Sequence, residues 1–185
     1  PIAELIEAGY RPWLPDLPAP RILEVGTGSG CIAIATALAL PGALVDASDC
    51  APDALVLAGE NCRRHGVAGR VRLFQADLWP PADRAPYDLI VSNPPYVPTA
   101  EVAALPAEYA HEPAGGLDGG ADGLAFARRL IAGARRYLAP TGVLVCEVGA
   151  QAAALEAAFP ALPFLWLDFE RGGEGVFVLE AAALP

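Results

Sequence analysis

The chain reads as an α/β protein: a mostly parallel sheet with helices on both faces and a hairpin at the end. Three observations predict it. Short apolar runs alternate with alanine-rich stretches of helical length, the pattern of successive strand–helix–strand units. The first four runs each stop at a polar marker: the glycine loop 26–30, Asp49, Asp77 and Asn93. Ligands of open parallel sheets sit beyond the carboxyl ends of the strands, so this coincidence predicts a site as well as a fold. The last two runs flank Arg171-Gly172-Gly173-Glu174-Gly175, a join with hairpin character.

Taken in order, Ile2, Leu5, Ile6 and Trp13 lie near one helical face and predict a short amphipathic helix over 1–9. Pro12, Pro15, Pro18 and Pro20 then break any regular structure. Residues 21–25 are the first strand, and an alanine-rich helix runs from the glycine loop to about Leu40. Pro41-Gly42 turns the chain into a second strand, 43–48. A helix over 53–65 is closed by Gly66, with His65 in the last turn, where a partial positive charge suits the helix dipole. Strands follow at 71–76 and 87–91. Residues 97–120 carry Pro98, Pro106, Pro113 and the pairs Gly115-Gly116 and Gly119-Gly120, and an irregular stretch of that length is expected to be a lid or binding loop. A helix over 124–138 stops at Pro140-Thr141-Gly142. The fifth strand covers 143–148, a helix 151–159, and the last two strands 164–169 and 176–179.

Composition narrows the possible functions. With 185 residues, 54% hydrophobic and 18% charged, the chain can bury one domain core and is not disordered. No run of about 18 apolar residues predicts a membrane span, and no secretory signal opens the chain. Met is absent even at position 1, which reads as a piece of a longer protein, and all 12 basic residues are arginine. A net charge of −10 argues against direct nucleic-acid binding, which needs a basic face, and favours a basic protein partner. The doublets Arg63-Arg64, Arg128-Arg129 and Arg135-Arg136 are expected on solvated helix faces. Cys31, Cys50, Cys62 and Cys146 lack paired metal spacing, so they are expected as buried, reduced thiols of a cytoplasmic protein with no metal site.

Two stretches carry chemistry. Asn93-Pro94-Pro95-Tyr96 ends the fourth strand in a stiff turn, because neither proline has a backbone N–H and Pro94 keeps Asn93 out of the helical region. The Asn93 side chain and the Pro94 carbonyl are acceptors side by side, and Tyr96 adds an aromatic face. That set suits an NH2 group on a planar, conjugated substrate; the plain alternative is a proline-rich turn. The other stretch, Glu24-Val25-Gly26-Thr27-Gly28-Ser29-Gly30, brings backbone close to a ligand, or is only a tight strand-to-helix turn. Asp49, 19 residues past Gly30, stands where an acid accepts from both ribose hydroxyls. The glycine spacing is not G-x-G-x-x-G, and no GK[ST] follows, so S-adenosylmethionine fits best.

These residues resemble the class I S-adenosylmethionine-dependent methyltransferases that modify the side-chain amide of protein glutamine, over nearly the whole chain. The resemblance implies a Rossmann-like, seven-stranded, mostly parallel sheet with a C-terminal hairpin. Residues 1–185 would then be the catalytic domain, without the family's N-terminal helical substrate-binding domain. Residues 105–113, 163–167 and 172–177 resemble the branch acting on large-subunit ribosomal protein three rather than the branch acting on release factors. By that resemblance Gly26, Thr27, Gly28, Ser29 and Gly30 would wrap the methionine part of S-adenosyl-L-methionine, with Glu24 and Asn93 also among the cofactor-binding residues. Asp49 would hold its ribose, and Asp77 and Leu78 would border its adenine. Leu78 stands where the release-factor branch can place a tryptophan. Asn93 and the Pro94 carbonyl would hold the target amide, with Pro95 and Tyr96 packing beside it.

Two acceptors on the amide N–H bonds favour partial negative charge on a poorly nucleophilic nitrogen and aim it, so no strong base is required before transfer. No base is evident in the sequence. His65, His111 and Glu112 are read as structural or loop-anchoring groups, with a substrate contact open for the latter two. Two other functions fit in part. Amino methylation of adenine or cytosine in nucleic acid would need a basic, aromatic reading surface. A non-catalytic methyltransferase-like subunit would not need an intact turn.

Overall fold

The computed structural model describes residues 1–84, 86–105 and 114–185. Seven strands form one sheet in the order β3-β2-β1-β4-β5-β7-β6. The strands are β1 (Arg21–Val25), β2 (Leu44–Asp49), β3 (Val71–Gln75), β4 (Tyr87–Ser92), β5 (Leu138–Glu147), β6 (Leu165–Trp166) and β7 (Val176–Glu180). The first five run parallel, and β7 is antiparallel to both β5 and β6. From β1 the chain builds outward through β2 to β3, then returns to lay β4 on the other side of β1. That reversal opens a crevice above the ends of β1 and β4.

Strand alternation divides the core in two. Ile22, Val45, Val91, Val145 and Val178 face the helices α1 (Ile2–Glu7), α2 (Cys31–Ala39) and α3 (Pro52–Arg64). Leu23, Val25, Ile90, Leu144 and Phe177 face α5 (Ala125–Ala134) and α6 (Ala152–Ala158). Because β1 is covered on both sides, Ile22, Leu23 and Val25 are fully buried, as parallel strands are. α1 buries Ile2, Leu5 and Ile6, the face read from their spacing. α3 starts on Pro52, carries Asp53 in its first turn and Arg63 and Arg64 in its last, and hands over through His65 to Gly66 at φ 70. All of these suit a helix dipole and its caps.

Several expectations are corrected. The helix expected over 124–138 ends at Ala134, and β5 begins at Leu138, before the proline turn. Tyr137 decides this. Its ring stacks on Trp79 (4.7 Å, 8° between planes) and its carbonyl accepts the Tyr87 N–H at 2.8 Å, so strand pairing displaces the last helical turns. Arg135 and Arg136 therefore follow the helix rather than lying in it. The strand expected over 164–169 pairs only at Leu165 and Trp166, where the rings of Phe164, Trp166 and Phe177 pack together. Of the cysteines, Cys62 and Cys146 are buried, but Cys31 and Cys50 are exposed, because they fall just past the carboxyl ends of β1 and β2, where the chain leaves the core. The irregular stretch also holds a short helix, α4 (Thr99–Val102). Pro106, His111, Glu112 and Pro113 lie outside the described residues. Among the described residues no helix is long and apolar enough to cross a membrane.

Candidate active site at the carboxyl edge of the sheet

The glycine loop leaves β1 with Gly26, Gly28 and Gly30 at φ 74, 55 and 83, a backbone region that side chains disfavour. Four of its five N–H groups, all but that of Ser29, are spent inside the protein. Gly26 and Thr27 donate to the Ser48 carbonyl (2.8 and 3.0 Å), Gly28 to Asp49 Oδ2 (2.8 Å), and Gly30 to the Thr27 carbonyl (2.9 Å). A phosphate-cradling loop keeps such groups free for the anion. This loop instead offers close backbone approach to a ligand without phosphate.

Beneath it sits Glu24, buried and negatively chargeable. Its Oε2 accepts from Thr27 Oγ1 (2.6 Å) and from the Ala33 N–H (2.9 Å) in the first turn of α2. Burial pushes its carboxyl up to about 8, against the pull of those two donors. The resemblance puts Glu24 among the cofactor residues; in the structure it holds the loop and α2 rather than reaching the crevice.

At the next strand end, Asp49 accepts from Gly28 and, through Oδ1, from the Ala51 N–H at 2.9 Å. An ionised carboxylate has lone pairs left for a ribose. The Ser48 hydroxyl donates to the Leu78 carbonyl (2.6 Å), which ties the ends of β2 and β3. Leu78 itself is at φ 74, with its side chain buried in the core beside α5, so only its backbone faces the edge. Asp77 is mostly exposed and pairs with Arg129 of α5 at 2.8 Å.

The turn after β4 completes the edge. The Ser92 hydroxyl donates to the Val25 carbonyl (2.6 Å), locking the ends of β4 and β1 together. Asn93 is exposed, Pro94 buried, and Pro95 and Tyr96 half-buried. Three glycines make room for Tyr96. A Cβ on Gly149 would lie 2.8 Å from its ring, one on Gly119 2.8 Å from its Cα, and one on Gly123 2.3 Å from its carbonyl oxygen. Gly149 is held in turn by Gly175, where a Cβ would meet the Gly149 carbonyl at 2.0 Å.

Phe126 and Glu147 have no part in the sequence reading. Phe126, at the start of α5, reaches within 3.7 Å of where a Gly26 Cβ would stand and so roofs the loop. Glu147 ends β5, half-buried, and burial raises its carboxyl above the ordinary value. A signal for Glu147 was present: like Asp49 and Asp77, it is an acid at the close of an apolar run.

The family model for the methyltransferase small domain matches residues 8–108. A protein of Bordetella pertussis named ribosomal protein uL3 glutamine methyltransferase is 48% identical over 180 residues, covering 97% of this chain and 60% of its own length. One of the same name from Burkholderia pseudomallei is 45% identical, covering 100% of this chain and 62% of its own. The chain thus spans about three-fifths of these relatives. Among solved structures, a methyltransferase from Pyrococcus furiosus superposes with a TM-score of 0.67 at 18% identity over 97% of this chain and 82% of its own, a likeness of fold. TrmN from Thermus thermophilus does so at 0.64 and 25%, over 96% of this chain and 48% of its own.

Proposed function

The chain belongs to the methyltransferase small domain family, and on that premise we propose that it is the catalytic domain of an enzyme that methylates the side-chain amide of a protein glutamine, with large-subunit ribosomal protein uL3 as substrate. The observation that carries this reading is the turn at Asn93: an exposed amide side chain next to the Pro94 carbonyl, fixed by Ser92 to β1 and by three glycines around Tyr96. The names of the relatives support the choice of uL3 over release factors.

The residues fit S-adenosylmethionine. Four of the five N–H groups of the glycine loop are already paired inside the protein, and Asp49 can accept from ribose hydroxyls beside it. Gly26 to Gly30 would hold the methionine part, Asp49 the ribose, and Asp77 with the Leu78 backbone the adenine side. The cofactor, when bound, supplies an electrophilic methyl group on a sulfonium.

The chain's own contribution is positioning. Asn93 Oδ1 and the Pro94 oxygen take the two N–H bonds of the target amide, which raises electron density on nitrogen and restrains its direction. Tyr96 covers the flat face of the amide. Because these acceptors are set before the substrate arrives, little reorganisation is needed during transfer. A net charge of −10 also attracts a basic ribosomal protein and speeds encounter.

The test is mass spectrometry of uL3 and of release factors after incubation with the full-length protein and S-adenosylmethionine. A methyl group on a uL3 glutamine is expected, and its formation should slow as salt is raised. Methylation of a release factor alone would move the substrate to the sister branch; methylation of neither would overturn the reading.

A further inference from the structure

β4 and β5 are parallel neighbours, with Val91 opposite Val145 and Ser92 opposite Cys146. One residue further, that register brings Asn93 and Glu147 to the carboxyl edge side by side, on strands about 4.8 Å apart. Strand alternation puts Glu147 on the face of Val145 and Val143, the face covered by α1 to α3. Two residues on is Gly149, which carries the Tyr96 ring. The amide-holding turn is therefore flanked by the end of β5, and that flank carries one carboxylate.

Among the described residues Glu147 has no ion pair, and no side-chain hydrogen bond satisfies its carboxylate. A carboxylate taken partly out of water with no partner is costly to keep ionised. At the carboxyl edge Asp49 accepts two backbone N–H groups and Asp77 holds an arginine, whereas Glu147 has neither kind of partner among the described residues. The titratable group that bears on it is the adjoining Cys146, a buried thiol whose own ionisation is suppressed first by burial and then by Glu147. Its partners on β7, around Val176, are apolar.

Resting on the reading of the site as an amide methyltransferase, we propose that Glu147 is a catalytic residue, the group that takes the proton from the target amide nitrogen. As nitrogen forms its bond to the methyl carbon, the electron pair of the broken S–C bond returns to sulfur. The nitrogen would be left cationic and tetrahedral; one of its two N–H bonds then turns away from its acceptor in the Asn93-Pro94 turn, and that proton passes to a Glu147 oxygen. A sulfonium, an amide and a carboxylate thus become a thioether, an N-methyl amide and a carboxylic acid, with charge balanced. The acid then releases its proton to solvent at its half-exposed edge. Asn93 and Pro94 aim the nitrogen; Glu147 removes what the transfer leaves behind. A burial-raised carboxyl suits this task, since it is a stronger base than an exposed one.

Glu147→Gln in the full-length protein separates this role from packing or simple binding. Calorimetry with S-adenosylmethionine and with a uL3 glutamine peptide should give wild-type affinities, while kcat falls about a hundredfold. The wild-type rate should rise with pH through a carboxyl titrating above the usual range, and the variant should lose that limb. The same titration should be visible in the wild type as a carboxyl resonance by NMR and absent from the variant. Weaker peptide binding with unchanged kcat would make Glu147 a mere contact and overturn the proposal, as would an unchanged rate and pH profile. A wild-type protein that binds cofactor and peptide but methylates nothing would overturn the functional reading, and the proposal with it.

Discussion

Replacing Gly149 by alanine probes whether the turn owes its shape to the space beneath Tyr96. Gly149 is at φ 51, and its added Cβ would stand 2.8 Å from Tyr96 Cε2 and 3.0 Å from Cζ. Left-handed backbone costs a residue with a Cβ about 1–2 kcal/mol. Relieving the contact needs a shift approaching 1 Å, and overpacking of that kind costs about 1–3 kcal/mol. The sum is roughly 2–5 kcal/mol, a drop of about 5–15 °C in Tm for a chain of this size. The obstacle is a side chain, so the ring can tilt instead, and the loss then moves from stability to methyl transfer. Urea or thermal unfolding together with single-turnover transfer therefore measures both routes. Gly66→Ala is the control: its φ is 70 but nothing lies within 4 Å and it lies away from the site, so backbone strain alone should appear. Wild-type stability and wild-type transfer together in Gly149→Ala would refute the claim that this glycine sets the turn.

Three further outcomes are expected. Asp49→Ala should weaken S-adenosylmethionine and S-adenosylhomocysteine alike in calorimetric titrations, by roughly 1.5–3 kcal/mol for a lost charged acceptor, since both carry the same ribose; unchanged affinity would remove the ribose assignment. Asn93→Ala should cut transfer about a hundredfold or more while cofactor affinity holds, and near-normal turnover would disprove the role of the turn. Glu24 makes the folded protein bind a proton that the unfolded chain releases, because its carboxyl lies at about 8 rather than the ordinary 4.5. Its contribution is thus fully present below about 4.5 and is lost as pH rises toward 8, by a few kcal/mol. Denaturant unfolding of Glu24→Gln should show a flatter pH dependence across that window, and an identical slope would argue against a buried, protonated Glu24.

Much of the site was legible because its residues are markers at the ends of apolar runs, and the alternation of strands and helices says which ends gather on one edge. The glycine loop, Asp49, Asp77 and Asn93 follow from that logic. What was not legible depends on register between strands distant in sequence. Glu147 carries the same mark as Asp49, yet only the pairing of β4 with β5 brings it to Asn93. The glycines at 119, 123, 149 and 175 read as turn residues, whereas the structure uses them to admit Tyr96 and to seat one another. The end of α5 was misread for a similar reason. Helical propensity continues through Tyr137, but the Trp79 ring and the Tyr87 N–H claim that residue for the sheet. Leu78 shows the limit of carrying roles across by position, since its side chain turns inward and leaves the edge to its backbone.

The place of β7 has a consequence for when the site comes into being. This strand is synthesised after β5 and β6 but is inserted between them in the sheet, and β6 pairs with nothing else. The Val148 N–H bonds to the Gly175 carbonyl at 2.7 Å, and Gly175 seats Gly149, which carries Tyr96. In a chain emerging from the ribosome, the glycine loop, Asp49 and the first four strands are therefore made before the stretch from Gly175 through β7, whose docking seats the turn at Tyr96. On the proposed reading, the strand ends assigned to the cofactor precede in synthesis the stretch that fixes the turn assigned to the acceptor.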